Sequence, residues 1–376
     1  VNKRKILYFD TALKFWGGQR SLYELISKLD RNYYRPFVAV PNDSLGIEKF
    51  GALTDVYTFP AHSTAAGALL RPFPALRSIS AFSNIINAVK PDIIHANTFL
   101  SGFILSLIPS LKTPWILHQR DTTYHRIATR WVTARAVKII AVSKTVSNLF
   151  ETIRLKRPLS VITDGVDVTF TTRIAEKGFV PPLRKKLGLK QNETLVGTVG
   201  TISAQKSQHD VLEAAAALRD ISGLYFVCVG EPYRAEDSEY FNKLARRRTE
   251  LGLENSFFFA DFTEDLADVY GSIDILAHAA KNEGLGRVIL EAMAAGVPAL
   301  ARNESGPSEI VESGVDGLLF EPDNINDFVG KLKLIVTNRE LRRNLSLEGK
   351  KKVSEKYTIE KSVSQIQNIY REISGN

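Results

Sequence analysis

Short apolar runs of strand length alternate with helical patterns along the whole chain. In the first half the runs are KILYF, RPFVAV, DIIHA, PWILH and VKIIAVS, and among them lie GGQRSLYELISKL and SISAFSNIINAVK, whose apolar residues recur at helical spacing. The pattern restarts after about residue 163. There TLVGTVG leads to SQHDVLEAAAALRD, GLYFVCVG to EYFNKLARRRTELG, SFFFADF to EDLADVYGSI, and DILAHAA to RVILEAMAA. Apolar strands that each feed a helix are the mark of parallel sheets covered by helices. The pattern predicts an α/β protein of two doubly wound parallel-sheet domains facing a central cleft, joined within LSVITDGVDVTFT. The expected bounds are 1–163, 164–356 and a final helical segment, 357–376. Ligands of such sheets collect at the carboxyl ends of the strands.

The stretch KNEGLGRVILEAMAAGVPAL, residues 281–300, carries the most specific chemistry. Arg287 to Ala295 are helix formers and end at Gly296-Val297-Pro298, a stop followed by a proline. Gly284-Leu285-Gly286 then reads as a strand-to-helix turn, with Glu283 at the strand end and Glu291 inside the helix. On one continuous helix the two carboxylates would stand roughly 12 Å apart along the axis, whereas across a turn both can face one ligand. The free N–H groups of the helix start favour an anion such as phosphate. A carboxylate further into the helix can accept from the vicinal hydroxyls of a ribose. A lone glutamate on an amphipathic helix is most often a solvated surface residue; the Gly-x-Gly between two glutamates is what turns the reading towards a nucleotide with a further polar group.

Length and composition fit this picture. The 376 residues suffice for two domains, and 44% hydrophobic with 24% charged residues is ordinary for a globular protein. The single cysteine, Cys228, sits in the apolar run LYFVCVG and reads as a buried thiol, which excludes an internal disulfide. The basic start followed by a short apolar run resembles a first strand more than a signal peptide. FLSGFILSLIPSL, residues 99–111, is too short to span a bilayer and contains Pro109.

The net charge of +8 is unevenly spread. Residues 1–163 hold 22 Lys and Arg against 9 Asp and Glu, or +13, and the rest of the chain has −5. Much of the excess lies in 120–157, with Arg120, Arg126, Arg130, Arg135, Lys138, Lys144, Arg154, Lys156 and Arg157. Such asymmetry points to an anionic partner, a membrane surface among them, or to a merely solvated face.

The second half resembles the retaining glycosyltransferases of the GT-B fold, specifically glycosyltransferase family 4 (glycosyl transferases group 1). Its hallmark Glu-x7-Glu stands here as Glu283 and Glu291 in NEGLGRVILEAMAAGVPALARNESGPSEIVESGVDGLLFEPDN. VGTVGTISAQKSQHDVLEAA, GGQRSLYEL, KPDIIHANT, AVSK and DGVD recur at the places the family expects, so the likeness covers nearly the whole chain. It implies a GT-B architecture of two Rossmann-like domains, with the final helix returning to the first.

The resemblance further implies a nucleotide-sugar donor, a UDP- or GDP-sugar, bound mainly by the second domain. Glu291 would hold the ribose, the amides of Leu285, Gly286, Arg287 and Val288 beside Gly284 the diphosphate, and Glu283 the sugar. Lys206 matches the family's lysine on the diphosphate, where a cation stabilises the leaving group. In the first domain Gly17 and Gly18 match the loop near donor or acceptor. His118 matches a histidine that touches the donor sugar through backbone or ring, whereas His95 reads as packing beneath it.

Two positions depart from the family. Its second phosphate arginine is replaced by Thr201, in Gly200-Thr201-Ile202, which leaves Arg287 or Arg20 to supply the charge. The asparagine of Asn-Gly-Val-Asp is Asp164. The chain has no Asp-x-Asp, and its six histidines show no paired ligand spacing, so neither metal nor cofactor is expected.

The expected activity is metal-independent hexosyl transfer, with retention, to a glycan or lipid-linked acceptor in cell-surface polysaccharide or glycoconjugate synthesis. Catalytic work falls to Glu283, Lys206 and His118, and the acceptor or membrane side to Arg20, Arg120, Arg126 and Arg130. The expected location is cytoplasmic, peripheral to the inner membrane face. The alternatives are an inactive nucleotide-sugar-binding scaffold, a GT-B-like epimerase or phosphorylase, and nucleic-acid binding through 120–157; the last lacks any helix-turn-helix, zinc finger or stacking motif.

Overall fold

The computed structural model describes residues 3–60, 72–109, 111–153, 155 and 157–375, with the side chains of 72–78 excepted. Arg154 and Lys156 of the basic segment lie outside the described residues. The chain forms two compact units, Val1–Gly165 with Ile359–Asn376, and Val166–Thr358.

Unit 1 holds a parallel sheet of strands β1 (Arg4–Phe9), β2 (Tyr34–Pro41), β3 (Asp55–Phe59), β4 (Ile93–Ala96), β5 (Trp115–Gln119), β6 (Lys138–Ala141) and β7 (Leu159–Val161). Their order is β3-β2-β1-β4-β5-β6-β7, so the winding reverses between β1 and β4. β1 shows why both faces are covered: Leu7 and Phe9 enter one apolar cluster, Ile6 and Tyr8 the other, with the period of two that a strand imposes. Val363, Ile366 and Tyr370 of helix Ile359–Ser374 lie on one face of that helix and join the Ile6 and Tyr8 cluster. Burying each such side chain is worth about 1.5–3 kcal/mol over leaving it exposed, which ties the end of the chain to unit 1.

Unit 2 holds β8 (Thr194–Val199), β9 (Leu224–Val229), β10 (Phe257–Ala260), β11 (Ile275–His278), β12 (Ala299–Arg302) and β13 (Leu318–Phe320) in the order β10-β9-β8-β11-β12-β13. Its winding reverses between β8 and β11. In doubly wound sheets that reversal opens a crevice at the strand ends. The loops that leave β8 and β9 pack so closely that one position admits only glycine: at Gly230, with φ of +151°, a Cβ would lie 1.9 Å from the carbonyl oxygen of Gly200. Among the described residues no helix is long and apolar enough to cross a membrane.

Candidate active site

The loops that follow β8 and β11 meet at the reversal in unit 2. After β8 the chain makes a 3-10 turn, Ala204–Lys206, and Ser207 takes a left-handed conformation (φ 51°) to enter helix Gln208–Ala217. After β11 it runs to helix Arg287–Ala295, which begins at Gly286 with φ of 90° and has no side-chain cap. The Lys281 N–H donates to the Gln205 carbonyl at 2.8 Å and ties the two loops. Next to that tie the Lys206 ammonium donates to the Glu283 carboxylate. The loop is braced from behind, where the Gly306 N–H donates to the Glu283 carbonyl at 3.0 Å and the Asn282 N–H to Glu304 Oε1 at 3.2 Å.

Burial pushes the Glu283 carboxyl up, but Lys206 and His278 more than offset this and hold its pKa below the ordinary value. His278 Nε2 lies 3.7 Å from Glu283 Oε2 and has no hydrogen-bond partner among the described residues. Burial brings the His278 pKa down to about 4, so the ring is neutral at physiological pH.

One turn into the helix, Glu291 is 5% exposed. The Tyr270 hydroxyl donates to its Oε2 at 2.8 Å and Arg287 Nε to its Oε1 at 2.9 Å. A carboxylate offers about four acceptor positions, so these two bonds fix its orientation and leave capacity for a diol. Arg287, one of the two cations expected to stand in for the missing arginine, is thereby turned onto Glu291. Thr201 is half-buried, and its carbonyl accepts from Gln208 Nε2 at 2.8 Å. Leu285 is buried beneath Gly306, where a Cβ would come within 2.5 Å of the Leu285 Cα. Gly284 belongs to the same turn, and Val288 lies in the first helical turn. Unit 2 therefore brings Lys206, Thr201, Glu283, the 284–288 turn and Glu291 to one strand-end region.

The residues expected in unit 1 are placed differently. Gly17 and Gly18 are exposed at the start of helix Gly17–Ser27, and Arg20 pairs with Glu24 at 3.2 Å. Asn97, past β4, donates to Asp10, past β1, at 2.5 Å and to the Gly18 carbonyl at 3.3 Å. The His118 ring is fully buried. Its Nδ1 lies 3.1 Å from Arg120 Nη2 and 3.0 Å from His95 Nε2. A guanidinium only donates, so His118 Nδ1 accepts, its proton sits on Nε2, and His95 donates through Nε2–H. His95 Nδ1 lies 2.6 Å from the Tyr370 hydroxyl, which also bonds to the Tyr8 hydroxyl at 3.2 Å. Burial, reinforced by the Arg120 charge, lowers His95 to about 3 and His118 well below its ordinary value.

Arg120 is enclosed rather than spread on the surface: it bonds to Asn97 Oδ1 at 2.9 Å and pairs with Asp164, the residue that departs from the family pattern. Arg126 and Arg130 are exposed on helix Arg126–Arg135. His278 and Tyr270 in unit 2, and Asp10 and Asn97 in unit 1, were not singled out by sequence; nearness to strand ends could have flagged His278, Asp10 and Asn97, whereas Tyr270 lies within helix Leu266–Ser272 and carried no such signal.

Comparison with known proteins places the chain. The model for "Glycosyl transferases group 1" matches residues 180–352, and that for "Glycosyltransferase Family 4" matches residues 16–170. A UDP-Gal:alpha-D-GlcNAc-diphosphoundecaprenol alpha-1,3-galactosyltransferase of Escherichia coli is 24% identical, over 94% of this chain and 96% of its own length. A D-inositol 3-phosphate glycosyltransferase of Corynebacterium jeikeium is 26% identical, over 89% of this chain and 91% of its own. The fold matches that of HepE of Anabaena, crystallised with UDP and glucose, with a TM-score of 0.84 at 23% identity, covering 98% of this chain and 100% of that one. It also matches sucrose-phosphate synthase of Thermosynechococcus elongatus, with a TM-score of 0.84 at 17% identity, covering 99% of this chain and 100% of that one.

Proposed function

We propose that this chain, which belongs to the glycosyltransferases of group 1 and family 4, moves a hexose from a UDP-sugar to a lipid-linked or glycan hydroxyl, with retention and without a metal. The observation that carries the reading is the convergence, at the strand-order reversal of unit 2, of a lysine ammonium, an uncapped helix start and two carboxylates. UDP is favoured by the relatives: the Escherichia coli enzyme is named for UDP-Gal, and HepE was crystallised with UDP. A lipid-linked acceptor is favoured by the diphosphoundecaprenol in the first of those names and by the basic first half of this chain. With that acceptor, the proposed working location is the cytoplasm, peripheral to the inner membrane face.

In this reading Glu291, held by Tyr270 and Arg287, accepts from the ribose hydroxyls. The N–H groups of 285–288 and the Lys206 ammonium receive the diphosphate, and Thr201 adds a hydroxyl donor. Glu283 accepts from hydroxyls of the sugar. From unit 1, Gly17, Gly18 and the backbone at His118 approach the donor, since the His118 ring is enclosed.

The anomeric carbon–oxygen bond to the diphosphate breaks as the acceptor oxygen approaches from the same face. The acceptor proton passes to the departing diphosphate oxygen. Lys206 and the helix start stabilise the negative charge as it develops, which lowers the barrier because the interaction strengthens towards the transition state. Lys206 and the amides take the part a divalent ion would otherwise play, in a chain without Asp-x-Asp.

The test is nucleotide release from UDP-, GDP- and ADP-sugars with EDTA present, for the parent and Glu291→Ala. Release from a UDP-sugar, lost in the variant, supports the reading. Binding without release would assign the chain to an inactive scaffold, and a requirement for magnesium would remove the metal-free step.

A further inference from the structure

We infer that helix Arg126–Arg135 of unit 1 is a docking surface for an anionic lipid bilayer, with Ile127 and Trp131 as the side chains that enter the interface. This inference rests on the lipid-linked acceptor proposed above and names the part of the molecule that reaches it.

The helix sequence RIATRWVTAR is split lengthwise. Thr129, Val132 and Thr133 are buried, and Val132 belongs to the cluster that covers one face of the unit 1 sheet. The opposite side exposes Arg126, Ile127, Arg130, Trp131, Ala134 and Arg135. Ile127 is 87% exposed and Trp131, one turn on along the same line, 46%. Single exposed apolar residues need no explanation, but this pair is the apolar centre of a stripe framed by three exposed arginines.

The helix carries no acidic residue. The preceding Asp121 carboxylate is occupied, accepting from Gln119 Nε2 at 2.8 Å and from the Thr123 N–H at 2.9 Å. The Arg135 guanidinium lies 3.5 Å from the centroid of the Trp131 ring, which holds cation and aromatic together.

Charge decides the occupant. A second copy of this helix would bring arginine against arginine, and an uncharged apolar partner would leave the guanidinium groups unmatched. An anionic bilayer answers both features, since its headgroups neutralise the arginines, tryptophan suits the headgroup level and isoleucine suits the acyl boundary. A helix of this length can lie in the interface without spanning the membrane, and the excess of positive charge in residues 1–163 points the same way.

The test is sedimentation of the full chain with phosphatidylcholine vesicles, with and without phosphatidylglycerol. Binding only to the phosphatidylglycerol vesicles, weakened by salt, is expected. Ile127→Ser combined with Trp131→Ser should weaken it at least about tenfold, and each of Arg126→Gln, Arg130→Gln and Arg135→Gln about fivefold. Quenching of tryptophan emission by brominated acyl chains gives the same answer on the unaltered protein, and the unfolding temperature of each variant reports its fold.

No binding by the parent, binding unchanged in the serine variant, or a concentration-dependent dimer that the same substitutions abolish in place of vesicle binding would each overturn the inference. UDP titration without lipid keeps the two proposals apart. If UDP binding is absent while vesicle binding persists, the transferase reading fails and docking stands; the reverse result removes docking alone.

Discussion

Both units are parallel sheets whose winding reverses beside the first strand, and in both the polar groups gather at that reversal, yet the two gatherings differ in kind. In unit 2, Lys206 and Glu283 form a pair whose side chains keep 23% and 18% of their exposure, next to a helix start with no side-chain cap. In unit 1, Asp10, Asn97, His95 and His118 are fully buried, Arg120 is closed onto Asp164, and the chain of bonds runs on to Tyr370 of the final helix. The first arrangement has groups able to change partners when an anion arrives. The second is a polar network bonded mostly within itself, with His118 Nε2 left without a hydrogen-bond partner among the described residues, and it is expensive to break. One topology thus carries a partly open ion pair beside a helix start in one unit and an enclosed network in the other.

Substitution should separate the two most clearly at Lys206. Lys206→Ala removes the cation proposed to sit at the leaving group and is expected to lower kcat by about 10²–10³, with a thermal unfolding shift too small to account for it. A large loss of stability instead would make the Lys206–Glu283 pair structural and erase the contrast.

Asp164→Ala tests the other unit, because it leaves the Arg120 guanidinium enclosed without its carboxylate. It should destabilise unit 1 by about 3 kcal/mol, read by denaturant unfolding, while UDP binding measured well below the unfolding temperature is kept. Loss of UDP binding at full stability would move the donor site towards unit 1.

Acid gives a smaller effect with a definite sign. His95, at about 3, and His118, well below its ordinary value, are held neutral in unit 1, as is His278, at about 4, in unit 2. Each folded value lies below the unfolded one, so the unfolded chain binds more protons in the window between them. The stability these rings contribute is complete above about pH 6.5 and is lost as pH falls towards the folded values, by at most about 1.4 kcal/mol per pH unit for each ring. The raised pKa of Asp10, set by burial, acts in the opposite sense within unit 1. Pulse proteolysis between pH 7 and 5 should show unit 1 opening more steeply than unit 2, and equal slopes would contradict the difference in buried histidines.

Tyr370→Phe removes only the hydroxyl that bonds to His95 and to Tyr8. The expected cost is about 1–2 kcal/mol, confined to unit 1 and measurable as faster hydrogen exchange in helix Ile359–Ser374. An unchanged exchange rate would detach the final helix from the network.

What could be read from the sequence follows the same division. Glu283, Glu291 and the intervening turn lie within nine consecutive residues, and the physics of a helix start acts over that range, so a local pattern could carry them. Most central strands were legible because both their faces are buried; β12 was the exception, its short run following directly on the helix that precedes it. Of the edge strands, β10 was among the expected runs, but β3, β7 and β13 were not; they are short or, like DVYTF, half-exposed, and so interrupt the apolar sequence. The unit 1 network was illegible for a different reason: His95 is 275 positions from Tyr370, and Asp10 is 87 from Asn97. Only the sheet order brings such partners together. His118 shows the limit of a strand-end rule, because position along a strand leaves open whether its side chain faces the crevice or the core, and here the ring faces His95.

The most direct test of the account is amide hydrogen exchange on the full chain, in EDTA, with and without UDP. Slowed exchange centred on residues 200–207 and 284–289, absent in Glu291→Ala, is the predicted result. Protection that falls instead on residues 10–20 and 95–120 of unit 1, or that persists in the variant, would contradict the assignment of the donor to the helix start in unit 2.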